Sequence, residues 1–401
     1  MASEGNGRSR RVTAVLRHGE QVTPLELFFD LVFVLAITQC TALMADDPTW
    51  TGLFEGVLVL GILWWAWVGY AWLTSVIDPE EGVVRLVMFV SMAALLVTSL
   101  AVPDAFGDLG LTFAIAYAFL RACWLVLFFI ASADTPSLRH SIWIGLVPTT
   151  AAGVALLVGA SFLEGSAQLT LWCVALAIDM AGPFLFGSEG WKLEPHHFAE
   201  RHGLIFIIAL GESIVAIGVG SDAGVDAGVI TVSVLGVALA ATMWWAYFDV
   251  AAIVAERRLD EAPEGRVQNE MARDSYSLLH FPMVAGVILI ALGLKTTLAH
   301  VDVPLSPVAA FALVGGLATY LLAHVAFRWR NVHTLNRRRL ACALVMLALI
   351  PVATEIPGLT SLVIISLLLI LLIAYEVIRF GEFRQEIRRD LAGGKPVADQ
   401  A

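Results

Sequence analysis

Leu25-Glu26-Leu27-Phe28-Phe29-Asp30-Leu31-Val32-Phe33-Val34-Leu35-Ala36-Ile37-Thr38-Gln39-Cys40-Thr41-Ala42-Leu43-Met44-Ala45 carries two acids at its start and then runs uncharged to its end. At 1.5 Å per residue, a helix of this length crosses the ~30 Å hydrocarbon core of a bilayer. Blocks of the same kind recur at 52–76, 83–103, 109–131, 141–163, 168–187, 202–220, 227–254, 275–298, 306–329, 338–355 and 359–380. Loops rich in Asp, Pro, Gly and Arg separate them. The pattern predicts an all-α integral membrane protein of about twelve transmembrane helices. The last two blocks form one long apolar run broken only at Glu355-Ile356-Pro357-Gly358, which predicts a tight turn there.

Composition agrees with lipid as the solvent. Hydrophobic residues make up 59% of the 401-residue chain and charged ones 15%, more apolar surface than a soluble core could hide. The net charge of −11 comes from acids spread over loops, and no long basic block exists, which excludes nucleic acid as a partner. Cys40, Cys123, Cys173 and Cys342 each lie in an apolar segment with no CxxC pair, so they are expected to pack as small core residues rather than bind metal or form disulfides. Walker A, GxSxG, HExxH and dinucleotide-binding patterns are missing, so neither an enzyme nor a cofactor is expected.

Residues 1–24 are polar and arginine-bearing with no A-x-A-type cleavage site after them, so the first apolar block is expected to be retained. The expected organisation is a cytoplasmic tail (1–24), a first six-helix half (25–187), a cytoplasmic linker (188–201), a second six-helix half (202–380) and a cytoplasmic tail (381–401). Placing the N-terminus inside puts all of the 24 Lys and Arg residues on the cytoplasmic side, except Lys295 outside and Arg85 and Arg121 within apolar segments. That bias predicts both termini in the cytoplasm of a bacterial cell and the chain in its cytoplasmic membrane.

The two halves look duplicated. Asp30 to Gln39 aligns without a gap on Gly203 to Glu212, Trp64-Trp65-Ala66-Trp67 on Trp244-Trp245-Ala246-Tyr247, and Tyr117-x-x-x-Arg121 on Tyr320-x-x-x-His324. Helix n would then pair with helix n + 6 in a parallel repeat, an arrangement common among secondary transporters.

Ionisable groups inside lipid-spanning segments cost several kcal/mol unless paired or hydrated, so they are the first functional candidates. Glu26 and Asp30 lie one turn apart, as do Tyr117 and Arg121. Asp179, Glu212, His280 and His324 complete the set within the helices. Two roles compete: a proton or ion path using Asp179 and Glu212 with Arg121 as counter-charge, or static ion pairs that lock helices together. His196, His197 and His202 lack metal-ligand spacing and read as part of a cytoplasmic loop.

Three stretches together resemble the low-temperature-requirement protein A (LtrA) family of bacterial multi-pass membrane proteins. They are Glu26-Leu-Phe-Phe-Asp-Leu-Val-Phe-Val34, His197-Phe-Ala-Glu-Arg-His-Gly203 running into Leu210-Gly-Glu-Ser-Ile-Val215, and His280-Phe-Pro-Met-Val-Ala-Gly286. The likeness extends over about residues 20–385; His202 stands where an apolar or aromatic residue is common in the family. The resemblance implies that Glu200 and Arg201, the Glu-Arg before the seventh helix in the family pattern, join the candidate residues; it also implies a link to growth at low temperature and names no substrate. Three functions therefore stay open: a transporter of an unknown small solute or ion, a membrane-homeostasis or scaffold protein, and an intramembrane lipid-modifying enzyme.

Overall fold

The structure, a computed structural model, describes residues 21–80, 82–185, 191–220 and 226–392. Much of both polar tails and part of the expected linker therefore lie outside the described residues. The fold is helical throughout. In chain order the long helices are α1 (Pro24–Asp46), α2 (Trp50–Thr74), α3 (Gly82–Leu100), α4 (Gly110–Ala131), α5 (Pro136–Ala160), α6 (Gly165–Leu185) and α7 (Pro195–Gly220). They continue as α8 (Ala227–Asp260), α9 (Arg266–Ala299), α10 (Pro307–Val332), α11 (Arg337–Ala353) and α12 (Gly358–Ala392).

Eleven of these are long and apolar enough to cross a bilayer among the described residues; α11 is the exception. Its 17 residues span about 25 Å, slightly under the usual thickness. It nevertheless runs the length of the bundle. Gly358 N–H donates to Val303 C=O, holding the α11–α12 turn against the α9–α10 turn at one end. At the other end the start of α11 is tied to α12 by Arg339 and Glu376. The turn at Glu355–Gly358 thus forms where Pro357 predicts it, and α11 makes a twelfth traverse.

Local chemistry sets the helix starts. Thr23 and Glu26 form a reciprocal capping box, with Pro24 in the first turn, which fixes where α1 begins. Pro195 similarly opens α7 six residues before the expected boundary at 201, so residues 195–201 are helix rather than linker. His197 and His202 are consequently buried rather than on a loop. In α9, Leu279 N–H reaches back five residues to Asp274 C=O, a widened turn that accommodates Pro282 one turn on. That helix begins at Arg266, nine residues earlier than read.

α2, α9 and α10 are the most enclosed, whereas α6 and α8 lie at the rim. Leu86, Ile115, Phe119, Val234 and Leu371 are large apolar side chains with their surface exposed, as a lipid-facing belt requires. All four cysteines are free.

Packing at the centre depends on small residues. A Cβ at Gly286 of α9 would stand 2.7 Å from Gly316 C=O and 2.8 Å from Tyr320 N of α10, both backbone atoms that cannot rotate away. Gly286→Val is expected to force α9 and α10 apart and to cost more than the ~1–3 kcal/mol typical of overpacking. Thermal unfolding in detergent reads this as a large fall in Tm; an unchanged Tm would contradict the close approach.

Candidate functional site

The acids of α1 meet the basic end of α7 in a dry cluster. Glu26 Oε1 lies 2.8 Å from His197 Nε2 and 3.1 Å from Arg201 Nη1, and Arg201 Nη2 lies 2.6 Å from Asp30 Oδ1. Trp67 Nε1–H of α2 donates to the same Asp30 oxygen at 2.8 Å. The i, i+4 spacing on both helices lets the two pairs interleave, and all four ionisable side chains are fully buried. Arg201 is therefore a bundle residue rather than a loop cation. Its neighbour Glu200 faces outward, accepts from Val22 N–H at 2.9 Å, and does not join the cluster.

A second centre joins α4, α5 and α6. Arg121 Nη2 lies 2.8 Å from Asp179 Oδ1, and both bond to the Thr150 hydroxyl at 3.0 Å. Tyr117 O–H donates to Asp179 Oδ2 at 3.4 Å, and Trp65 Nε1–H donates to the Asp179 carbonyl. The guanidinium lies over the Trp124 ring, 4.1 Å from its centroid. Arg121 is 2% exposed, yet its Nε and Nη1 have no hydrogen-bond partner. A cavity of about 70 Å³ opens on this pair, room for a few waters. Trp65, Trp72, Trp124 and Trp191 line it, with Asn269 and Arg273 from the start of α9.

Glu212, midway along α7, stands apart from both centres. Thr38 of α1 donates to its Oε2 at 2.6 Å, and Glu212 is 2% exposed with no ion pair among the described residues. The sequence reading joins Glu212, Arg121 and Asp179 in one path. The structure instead pairs Arg121 with Asp179 and sets Glu212 against a hydroxyl of α1, because the helices carrying them face different neighbours.

The histidines also separate. His280 Nδ1 can only donate to Ser275 C=O, at 3.0 Å, so Nε2 accepts from the Tyr247 hydroxyl at 2.7 Å. Both ring nitrogens are satisfied, and the ring stacks on Tyr276. His324 Nδ1 is buried without a partner.

Among the ion pairs that escaped the sequence reading, two hold α12 in place. Arg339 of α11 meets Glu376 of α12 at 2.8 Å, and Arg384 meets Asp249 at 2.8 Å. Arg339 is buried, although its place in a run of three arginines reads as a loop charge. The available signal was Glu376 itself, a single acid in the apolar stretch of α12.

Comparison with known proteins places the chain. A protein of Rhizobium meliloti (strain 1021), described as the uncharacterized protein RA0937, is 31% identical over 291 residues, covering 69% of each chain. No solved structure matches. The family described as bacterial low temperature requirement A protein (LtrA) matches residues 21–374, which takes in α1 to α11, the first half of α12, and the Glu26–Arg201 and Arg121–Asp179 centres. The chain is a member of the LtrA family.

Proposed function

We propose that this protein is a secondary transporter of a small solute, with proton coupling through Glu212. The observation that carries the proposal is the tryptophan-walled cavity ending on the buried Arg121–Asp179 pair, where a guanidinium keeps unused donors. A solute with an acceptor group could take those donors, and the tryptophan faces suit an apolar or cationic remainder. Glu212 makes no close ion pair among the described residues, Lys295 acting on it only at a distance, so gaining or losing a proton there changes the net charge inside the membrane, which coupling requires.

Transport by rocking of two parallel halves also fits the proposed duplication. Phe33 and Trp67 have their ring centroids 6.3 Å apart, and the aligned pair Phe206 and Tyr247 4.7 Å apart. Tyr117 O–H points to Ile62 C=O of α2, and Tyr320 O–H to Met243 C=O of α8. Val22 at the N-terminal described end bonds Glu200 near the start of α7, His196 beside it bonds Glu256 of α8, and Arg384 near the end of α12 pairs with Asp249 of α8, so both described chain ends lie at one end of the bundle. We place that arginine-rich end in the cytoplasm and the chain in the cytoplasmic membrane. A role in growth at low temperature follows the family's description. A scaffold role is favoured by the Glu26–Arg201 cluster, whose ions are fully buried and face opposite charges.

Proteoliposomes loaded with a pH-sensitive dye test the reading. Small solutes, supplied as imposed gradients, are expected to move protons in one case at least, and Glu212→Gln to slow that movement tenfold or more while leaving Tm nearly unchanged. Absence of any solute or proton movement dependent on Glu212 would leave the scaffold reading in its place.

A further inference from the structure

The second half contains a cavity that neither the transport path nor the helix-locking cluster uses. It measures about 450 Å³ and lies between the ends of α8, α10 and α12 and the start of α11. Its wall is strongly cationic, with Arg328, Arg337, Arg338, Arg339 and Arg384 against one acid, Glu376.

Accounting for partners leaves three of these arginines uncompensated. Arg339 is used up by Glu376, at 2.8 Å through Nη2 and 3.2 Å through Nε, and by Ala246 C=O through Nη1. Arg384 is divided between Asp249 and Glu376. Arg328 donates through Nε to the Thr334 hydroxyl, and Arg338 lies over the Phe380 ring at 4.9 Å. Neither these two nor Arg337 makes an ion pair with a carboxylate among the described residues. Three like charges around one half-enclosed space repel one another, and among the described residues only Glu376, already bonded to Arg339 and Arg384, opposes them.

A second observation points into the same space. His324 lines the cavity, is 1% exposed, and its Nδ1 has no hydrogen-bond partner. A buried polar atom without a partner costs about 1–3 kcal/mol unless something fills the role. An anion in the cavity would sit beside that ring while the guanidinium forks bind its oxygens.

We infer that this cavity is a binding site for a phosphate-bearing anion, held by Arg328, Arg337 and Arg338 with His324 at its floor. Guanidinium groups match phosphate through paired N–H donors, and the cavity lies at the end of the bundle where α8 and α10 finish, the level at which a bilayer's headgroups would meet it. The phosphate can therefore come from a free anion or from an anionic phospholipid, with the same recognition chemistry.

Titration of the purified full-length protein in a neutral detergent distinguishes these sources. The two probes are sodium phosphate and dioctanoyl phosphatidylglycerol, read by calorimetry and by the shift in Tm. Saturable binding is expected for at least one probe, and whichever binds names the source. Arg328→Gln with Arg338→Gln is expected to weaken that binding tenfold or more, while Arg85→Gln, an exposed arginine elsewhere, leaves it unchanged. Glu376→Gln is expected to tighten binding by removing the opposing charge. Arg337→Gln with Arg338→Gln gives the same readout at exposed positions if the first variant folds poorly. Saturable binding of neither probe, undiminished binding in the arginine variants, or an equal loss in Arg85→Gln would overturn the inference.

Discussion

Arg201→Gln is expected to destabilise the protein by about 3–5 kcal/mol, because it leaves two carboxylates buried against one imidazole. Arg201 makes the 2.6 Å bond to Asp30 and shares Glu26 with His197, and no water reaches any of the three. Lipid offers no solvation to replace the lost partner. Denaturation in detergent should show this as a large loss of Tm and of folded yield. The triple variant Glu26→Gln, Asp30→Asn, Arg201→Gln removes the charges together and retains hydrogen-bonding groups of similar size, so it should recover much of the loss. If the single and triple variants are equally unstable, packing around Arg201 rather than its charge holds α1 to α7.

The second large effect is expected on activity rather than on stability. Arg121→Lys keeps a cation opposite Asp179 but removes the planar fork and the face that lies over Trp124. The bundle is therefore expected to fold with a Tm close to the parent's, while solute movement in proteoliposomes falls tenfold or more. Arg121→Gln, which strands Asp179 without a counter-charge, should lose both. Equal flux in the lysine variant and the parent would mean that the spare donors of Arg121 are not the solute's contacts, and would remove the main support for placing transport at this cavity.

The sites differ in how far they could be read from the chain. Arg121 and Asp179 declare themselves because a charge in an apolar run has to be paired. Thr150 and Trp65, which complete that centre, do not, since hydroxyls and indoles are ordinary in membrane helices. Arg201 and Arg339 read as loop cations for one reason: each lies within two turns of a helix start, where a count of charges cannot distinguish a loop cation from one folded inward. His202, next to Arg201, is ringed by Trp67, Phe198 and His280 although its neighbourhood reads as a polar connection. The start of α7 at Pro195 makes the difference, because it extends the helix into the bundle by one further turn and more.

The sequence by itself determined the solvent and the helices, but not where α7 and α9 begin or where α8 and α12 end. Twenty-residue apolar runs have no other stable form in lipid, where every backbone N–H must bond within its own segment. The tertiary structure alone decided which ionisable groups meet. Helix spacing of four residues places Glu26 with Asp30 on one face, but which neighbour that face meets depends on rotation and close approach, set by contacts such as Gly286 against Gly316. For that reason Glu212 faces Thr38 rather than Arg121, and three arginines that read as solvated loop charges enclose a cavity.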